Sequence, residues 1–229
     1  MSWWSHLDRN RVGVAPSLLG GDLARLADEV RDVETAGADL LHLDVMDGHF
    51  VPNLTFGPEV IAAVAKVARL PLDCHLMIES PLASAASYAE AGCHGLTLHL
   101  ETLSDPVRAV DALHALGVLA GLSVRPGTPL PPAGPLWERL DLLLVMSVEP
   151  GYCGQAFQPA AVEKVEAAAA LRREAGLDFA ISVDGGVGPA QAGLLRRAGA
   201  DVLVAASAVM GKPDRAAAVA ALREAAASK

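Results

Sequence analysis

The sequence predicts an α/β fold, a closed parallel (β/α)8 TIM barrel in a single domain, on three observations. Eight short β-rich runs recur along the chain, Ala-rich amphipathic stretches separate them, and no composition break divides the 229 residues. The length is slightly below the roughly 250 residues typical of that fold. Residues 1–229 are read as one domain, with 1–10 as a short N-terminal arm. An open doubly wound sheet is the structural rival. It would normally carry a GxGxxG turn after its first strand, and "APSLLGGD" is not one.

In chain order, the predicted strands are "RVGVAPS" (11–17), "LLHLDVM" (40–46), "PLDCHLM" (71–77), "GLTLHLE" (95–101), "LAGLSVR" (119–125), "DLLLVMSV" (141–148), "FAISVDG" (179–185) and "DVLVAAS" (201–207). The first helical stretch spans 22–38, with Asp22 as its cap. A long one spans 159–176, with Gly176 as a stop signal. The fifth linker, "PGTPLPPAGPLWERL", is proline-rich and has room for only a short helix.

Composition narrows the function. With 52% hydrophobic and 4% aromatic residues, the core is built of Ala, Val and Leu. The net charge of -9 and the lack of a basic stripe argue against a nucleic-acid partner. Cys74, Cys93 and Cys153 are odd in number and form no CxxC pair or recognisable disulfide frame, which points to a reducing, cytoplasmic setting. The segment "MSWWSHLDRNR" lacks the apolar core of a signal peptide, and no run is long enough for a membrane span. Trp3 and Trp4 have two readings, an anchor on a neighbouring subunit or a cover for one barrel end. A homo-oligomer is expected.

Alternation on a strand puts His42, Asp44 and Met46 on one face and Leu41, Leu43 and Val45 on the other. A buried imidazole and carboxylate need a partner or a metal. The bland reading is a satisfied polar pair. Active sites of this fold lie at the C-terminal strand ends, and there the third strand adds His75 and the seventh adds Asp184. Two imidazoles and two carboxylates suit one divalent ion, Zn, Fe, Mn or Co. Cys74 faces away from His75 and is read as a core residue. His99 and Glu101 repeat the His42–Asp44 spacing; they either complete the site or, as favoured, support it by hydrogen bonds.

Met46, Met77 and Met146 also lie at strand ends and are expected to form a dry ceiling over the ion. Gly-rich or small-residue turns follow the last three strands: "GYCGQ" with Gly151, Gly154 and Gln155, "DGGVG" with Gly185 and Gly186, and "AASA" with Ala206 and Ser207. Backbone N–H groups at such turns cradle phosphate without a lysine. The lysines, at 66, 164, 212 and 229, all lie away from strand ends. That disfavours Schiff-base aldolases and lysine-dependent decarboxylases.

Across nearly the whole chain, "APSLL", "LHLDVMDGHFVPNLTFGP", "DCHLM", "SVRPGTP", "MSVEPGYCGQAF" and "SVDGGV" resemble the blocks of the ribulose-phosphate 3-epimerase family, in its order. The resemblance implies a metal held by His42, Asp44, His75 and Asp184, with Asp44 and Asp184 as the two acid–base groups. It implies a phosphorylated ketose as substrate, interconverted between D-ribulose 5-phosphate and D-xylulose 5-phosphate, with Ser17 and His75 among its contacts. On the residues alone, Ser17 reads equally well as a turn residue before the first helix. Three departures stand out. Arg125 and Glu149 replace the Asn that many members carry, and are expected to pair with each other. Tyr152 and Cys153 stand where Phe and Gly are usual. Ala206 stands where Gly is usual, so Cβ atoms enter the phosphate turns. The rival readings are 3-epimerisation of another ketose (allulose 6-phosphate or an unphosphorylated sugar), a non-catalytic metal-binding barrel, and, weakest, an assembly subunit.

Overall fold

The computed structural model of the protein describes residues 10–228. Eight parallel strands run β1 (Gly13–Pro16), β2 (Leu41–Met46), β3 (Leu72–Met77), β4 (Gly95–His99), β5 (Leu119–Val124), β6 (Leu142–Met146), β7 (Ala180–Asp184) and β8 (Val202–Ala205). They pair in the order β1-β8-β7-β6-β5-β4-β3-β2, and a parallel bridge from Ser17 to His42 closes the ring. Around them lie α1 (Leu26–Thr35), α2 (Pro58–Ala65), α3 (Pro81–Glu90), α4 (Pro106–Ala115), α5 (Pro135–Arg139), α6 (Ala160–Glu174), α7 (Pro189–Ala198) and α8 (Arg215–Ala227). The expected TIM barrel is present, and the five-residue α5 fits the proline-rich linker. Trp3, Trp4 and most of the predicted arm lie outside the described residues, as does Lys229.

Local chemistry accounts for the element ends. Proline opens α2, α3, α4, α5 and α7, where its missing N–H costs nothing. Asp105 and Asp214 cap α4 and α8 by accepting the N–H of Arg108 and Ala217. Asp22 is a cap too, but of a 3-10 turn, Leu23–Arg25; α1 starts only at Leu26. At the N-terminal ends of the strands, Asp39, Asp141 and Asp201 accept the N–H groups of Val14, Ala120 and Ile181 at 2.8–2.9 Å. Each side chain ties the start of one strand to a neighbour on the face of the barrel devoted to stability.

The outer core packs helices against Leu41, Leu43, Val45, Leu72, Cys74 and Leu76. The inner faces divide the barrel in two. One side, from β6 through β8 to β1, is mostly apolar, with Ala15, Leu142, Leu144, Ala180, Val202 and Val204, broken on β7 by the buried Ser182 and by Asp184 at the strand end. The other, β2 to β5, is polar: His42, Asp44, Asp73, His75, Thr97, His99 and Ser123 are all buried. A buried polar wall of this size needs internal partners, and those partners form the site.

Candidate metal and active site

Register brings the β2 and β3 side chains together. His42 lies opposite Asp73, Asp44 opposite His75, and Met46 opposite Met77. The next strands add His99 from the end of β4 and Asp184 from the end of β7. The ligand atoms of His42, Asp44, His75 and Asp184 all lie within 4.8 Å of one another. Ligands about 2.0–2.2 Å from one ion lie about 3–3.5 Å apart when adjacent and at most about 4.4 Å when opposite, so the side chains would draw in by roughly an ångström to seat a cation. The four residues expected to form a metal site therefore do meet.

The donor set fits a metal on independent grounds. His42 Nδ1 contacts Asp73 Oδ2 at 2.9 Å, while His42 Nε2 is buried, lies 3.4 Å from Asp44 Oδ1 and has no hydrogen-bond partner. His75 Nδ1 lies 3.3 Å from Asp44 Oδ1 and 3.9 Å from Asp184 Oδ2. Burial disfavours a charged His42, but Asp44 and Asp73 outweigh it and hold the imidazole well above its usual range. A field that favours a proton there also favours a metal cation. Burial likewise raises Asp44, yet His42 and His75 hold it well below the carboxylate range. Burial and the nearby Asp44 push Asp184 up to about 6. The two carboxylates thus sit in environments that drive them apart, a pattern shared with acid–base pairs.

Asp73 escaped the sequence reading. It stands two residues before His75, on the same inward face, and receives the Thr97 hydroxyl at 3.3 Å besides fixing His42. Gly121 leaves room for Thr97, since a Cβ there would collide with its hydroxyl. Asp73 is the kind of outer carboxylate that fixes a ligand imidazole.

His99 and Glu101 lie beside the ligands, as the favoured reading expected, but not by strand alternation. β4 ends at His99, and a 3-10 turn, Leu100–Thr102, brings Glu101 Oε2 back to His99 Nδ1 at 3.0 Å. His99 Nε2 in turn lies 2.9 Å from His75 Nε2. Burial lowers His99 to about 4. Glu101 sits at about 2; burial opposes this, but His99, the Thr128 hydroxyl and the Arg125 N–H outweigh it.

A cleft opens above the cluster. Ser17, Asp44, Asp184, Met46, Met77 and Met146 line it, together with Gly151, Gly154, Gln155, Gly185, Gly186, Ala206 and Ser207. His75, expected also to touch substrate, is fully buried and does not line the cleft; its place is in the cluster. Met46 and Met77 pack with Val51 at the strand ends, and Met146 joins the inner apolar cluster. Lys66, Lys164 and Lys212 stay out of the cleft. Lys164 instead caps the loop after β5, donating to the carbonyls of Arg125, Pro126 and Thr128 at 2.7–3.0 Å.

Two expectations need correcting or refining. Arg125 does not pair with Glu149. Its guanidinium lies 4.1 Å over the Phe50 ring and donates to the Phe50 carbonyl, while its backbone N–H donates to Glu101. Phe50, packed 4.6 Å from His99, competes for the guanidinium with a flat aromatic face. Cβ atoms in the phosphate turns do not strain them either. Gly151, Gly154, Gly185 and Gly186 adopt positive φ, whereas Cys153 and Ala206 do not. Cys74 is buried in the outer core as expected, but its thiol also meets that of Cys93, with the sulfurs 2.7 Å apart. All three cysteines are free.

The Ribulose-phosphate 3 epimerase family profile matches residues 13–210. A ribulose-phosphate 3-epimerase of Mycobacterium bovis is 49% identical over 210 residues, covering 92% of this chain and 91% of the relative. One of Bacillus subtilis is 44% identical, covering 93% and 98%. A rice relative named as the cytoplasmic isoform is 43% identical, covering 92% of each. Among solved structures, an orotidine 5'-phosphate decarboxylase from Pyrococcus horikoshii aligns with a TM-score of 0.64 at 15% identity, covering 94% of this chain and 100% of that one. A thiamine phosphate pyrophosphorylase from Pyrococcus furiosus aligns at 0.62 and 18%, covering 95% and 96%. At such identities the likeness establishes the barrel only.

Proposed function

The chain belongs to the ribulose-phosphate 3-epimerase family, and we propose that it interconverts D-ribulose 5-phosphate and D-xylulose 5-phosphate. The observation that carries this reading is the cluster of His42, Asp44, His75 and Asp184 beneath a cleft rimmed by Gly-rich turns.

Inverting a carbon beside a carbonyl requires removing its proton from one face and returning one to the other. Asp44 and Asp184 are the two groups for this work: one takes the C3 proton, and the other delivers a proton to the opposite face of the ene-diolate. In the reverse direction their roles exchange. His42 Nε2, His75 Nδ1 and the two carboxylates would hold one divalent cation. When bound, that ion supplies Lewis-acid stabilisation of the negative charge on the substrate oxygens. Ser17 Oγ donates to Asp44 Oδ2 at 2.5 Å, while Asp44 Oδ1 faces His42 Nε2 and His75 Nδ1, so the carboxylate is held between the substrate side and the cluster. The methionines keep the pocket dry, which strengthens the electrostatics beneath them. Backbone N–H groups of the turns at Gly154, Gly186 and Ser207 are assigned to the phosphate.

The same reading includes one divalent ion among Zn, Fe, Mn and Co, a cytoplasmic setting and a homo-oligomer. Three free thiols support the second of these. No described helix is long and apolar enough to cross a membrane. Tyr152 and Cys153 lining the cleft favour one alternative, the same chemistry on a different ketose.

Initial rates on D-ribulose 5-phosphate, allulose 6-phosphate and free D-ribulose decide between them. The proposal expects kcat/KM highest for ribulose 5-phosphate and lower by at least about 100-fold for the free sugar, since the phosphate contacts are lost. A preference for another ketose would replace the substrate; no turnover of any, with metal bound, would make the barrel a binding protein.

A further inference from the structure

Two successive peptides after β7 turn their carbonyls to one side chain. The Ser147 hydroxyl donates to the Gly185 carbonyl and lies 2.9 Å from the Asp184 carbonyl. The Asp184 carbonyl already accepts the Ser147 N–H at 2.8 Å, so the single hydroxyl proton serves Gly185. Ser147 is fully buried and stands behind the cleft rather than on its lining. In a planar trans peptide the N–H points opposite to the C=O. A Gly185 carbonyl drawn back to Ser147 therefore turns the Gly186 N–H away from it, and Gly186 lines the cleft. One peptide earlier, the Gly185 N–H bonds to the Asp184 carboxylate. The local sequence leaves the Gly185–Gly186 peptide loose, because the glycines on both sides of it, at φ +108° and +59°, offer no Cβ to resist rotation. Crowding requires those glycines: a Cβ would lie 2.5 Å from Val148 Cγ2 at Gly185 and 2.6 Å from Phe157 N at Gly186. The rigidity that the turn gives up by using glycine has to come from a neighbour, and the Ser147 hydroxyl supplies it.

We propose that Ser147 is a positioning residue whose hydroxyl holds the Gly185–Gly186 peptide with its N–H toward the cleft, ready for the substrate phosphate. This rests on the reading of the turn after β7 as part of the phosphate grip. Ser147 reaches the other turn as well: its carbonyl accepts the Gln158 N–H at 2.9 Å, at the base of the loop that carries Gly151 and Gly154. That bond and the one from the Ser147 N–H to Asp184 belong to the backbone and survive a change of side chain. Alanine at this position leaves the Gly185 carbonyl buried without its hydroxyl donor, so the peptide rotates away and phosphate has to order it again on binding.

The test titrates inorganic phosphate into full-length protein labelled with nitrogen-15, follows the Gly186 amide in proton–nitrogen correlation spectra, and adds steady-state kinetics on D-ribulose 5-phosphate. In the wild type the Gly186 N–H should shift on phosphate binding. Ser147→Ala should weaken phosphate binding and raise KM by about 10- to 100-fold, the range for hydrogen bonds to charged groups. Its kcat should stay within about threefold of wild type, because Asp184 keeps its backbone tie and only binding shared by ground and transition states is lost. Ser147→Thr keeps the hydroxyl and should restore phosphate affinity to within about threefold. Unchanged phosphate affinity in Ser147→Ala would overturn the proposal. So would a fall in kcat and melting temperature with KM untouched, the mark of a merely structural serine. A wild-type Gly186 N–H that saturating phosphate leaves unmoved would overturn it even if Ser147→Ala failed to fold. Phosphate bound at Gly186 with no epimerisation of ribulose 5-phosphate would instead sink the catalytic reading and leave the role of Ser147 standing.

Discussion

Ser17 Oγ donates to Asp44 Oδ2 at 2.5 Å, at the same point where the Ser17 backbone bridges to His42 and closes the barrel. The backbone performs the closure and the side chain serves the site. Ser17→Ala should therefore leave the melting temperature within about 4 °C of wild type, since no closing hydrogen bond is lost. Its kcat/KM should fall about 10- to 100-fold, the worth of a hydrogen bond to a charged group. Steady-state kinetics beside a thermal melt checks both; a large loss of stability with normal turnover would return Ser17 to a turn residue.

Asp184 stands at the end of β7 within the four-residue cluster. Asp184→Asn removes one of the two proposed proton carriers and keeps the shape. Turnover should fall by about 10²–10⁴-fold, the range for losing general acid–base help. Near-normal epimerisation in this variant would refute the two-carboxylate mechanism.

The glycines of the turns differ in what they tolerate. Gly186 has φ +59°, and a Cβ there would lie 2.6 Å from Phe157 N and 2.7 Å from Gln155 O. Gly154 has φ +82° but nothing within 4 Å of a Cβ. Gly186→Ala should cost about 1–3 kcal/mol or more and raise KM for the phosphorylated substrate, because backbone must move. Gly154→Ala carries only the conformational cost, about 1–2 kcal/mol. Denaturant melts of the two variants should rank in that order, and equal effects would argue against the tight contact between the turns after β6 and β7.

Cys153 and Ala206 interrupt what the family resemblance makes Gly positions, but neither has positive φ. Cys153 is exposed, and partial burial with Asp44 and Asp184 nearby pushes its thiol up to about 11, so it stays protonated at neutral pH. Cys153→Gly and Ala206→Gly should each change kcat/KM by less than about threefold, because no backbone strain is relieved. A tenfold gain on ribulose 5-phosphate would mean that these side chains had steered the protein to another substrate.

Asp47, just beyond β2, ties two loops at the barrel mouth by accepting the N–H groups of His49, Phe50 and Glu79 at 2.8–2.9 Å. Slight burial opposes ionisation, yet those three bonds hold its carboxyl below the ordinary 3.8. In acid the unfolded chain therefore binds more protons than the native one. The stabilisation is present above about pH 4 and is lost as pH falls through the depressed value. Asp47→Asn should melt about 2–4 °C below wild type at pH 7, with the gap closing below pH 4. A gap that widened in acid would contradict this assignment.

The strand order, the inward face of β2 and the four cluster residues were legible because period-two alternation and chain order suffice to place them. Asp73 was not, because its role depends on the register that sets it opposite His42, and a single strand does not reveal its neighbour's register. Glu101 was assigned to the right neighbourhood by a wrong route, since the 3-10 turn after β4 leaves no periodic trace. The Arg125–Glu149 pairing failed for a similar reason. Adjacent strand ends suggested a salt bridge, but the loop carrying Phe50 folds back and offers the guanidinium a ring and a carbonyl.

The central claim is proton exchange at C3 by two carboxylates in a metal-loaded cleft. NMR of D-ribulose 5-phosphate in D2O with zinc-loaded protein tests it most directly. The account predicts deuterium at C3 appearing as fast as xylulose 5-phosphate forms. Metal bound and substrate present, with neither exchange nor epimer, would contradict it.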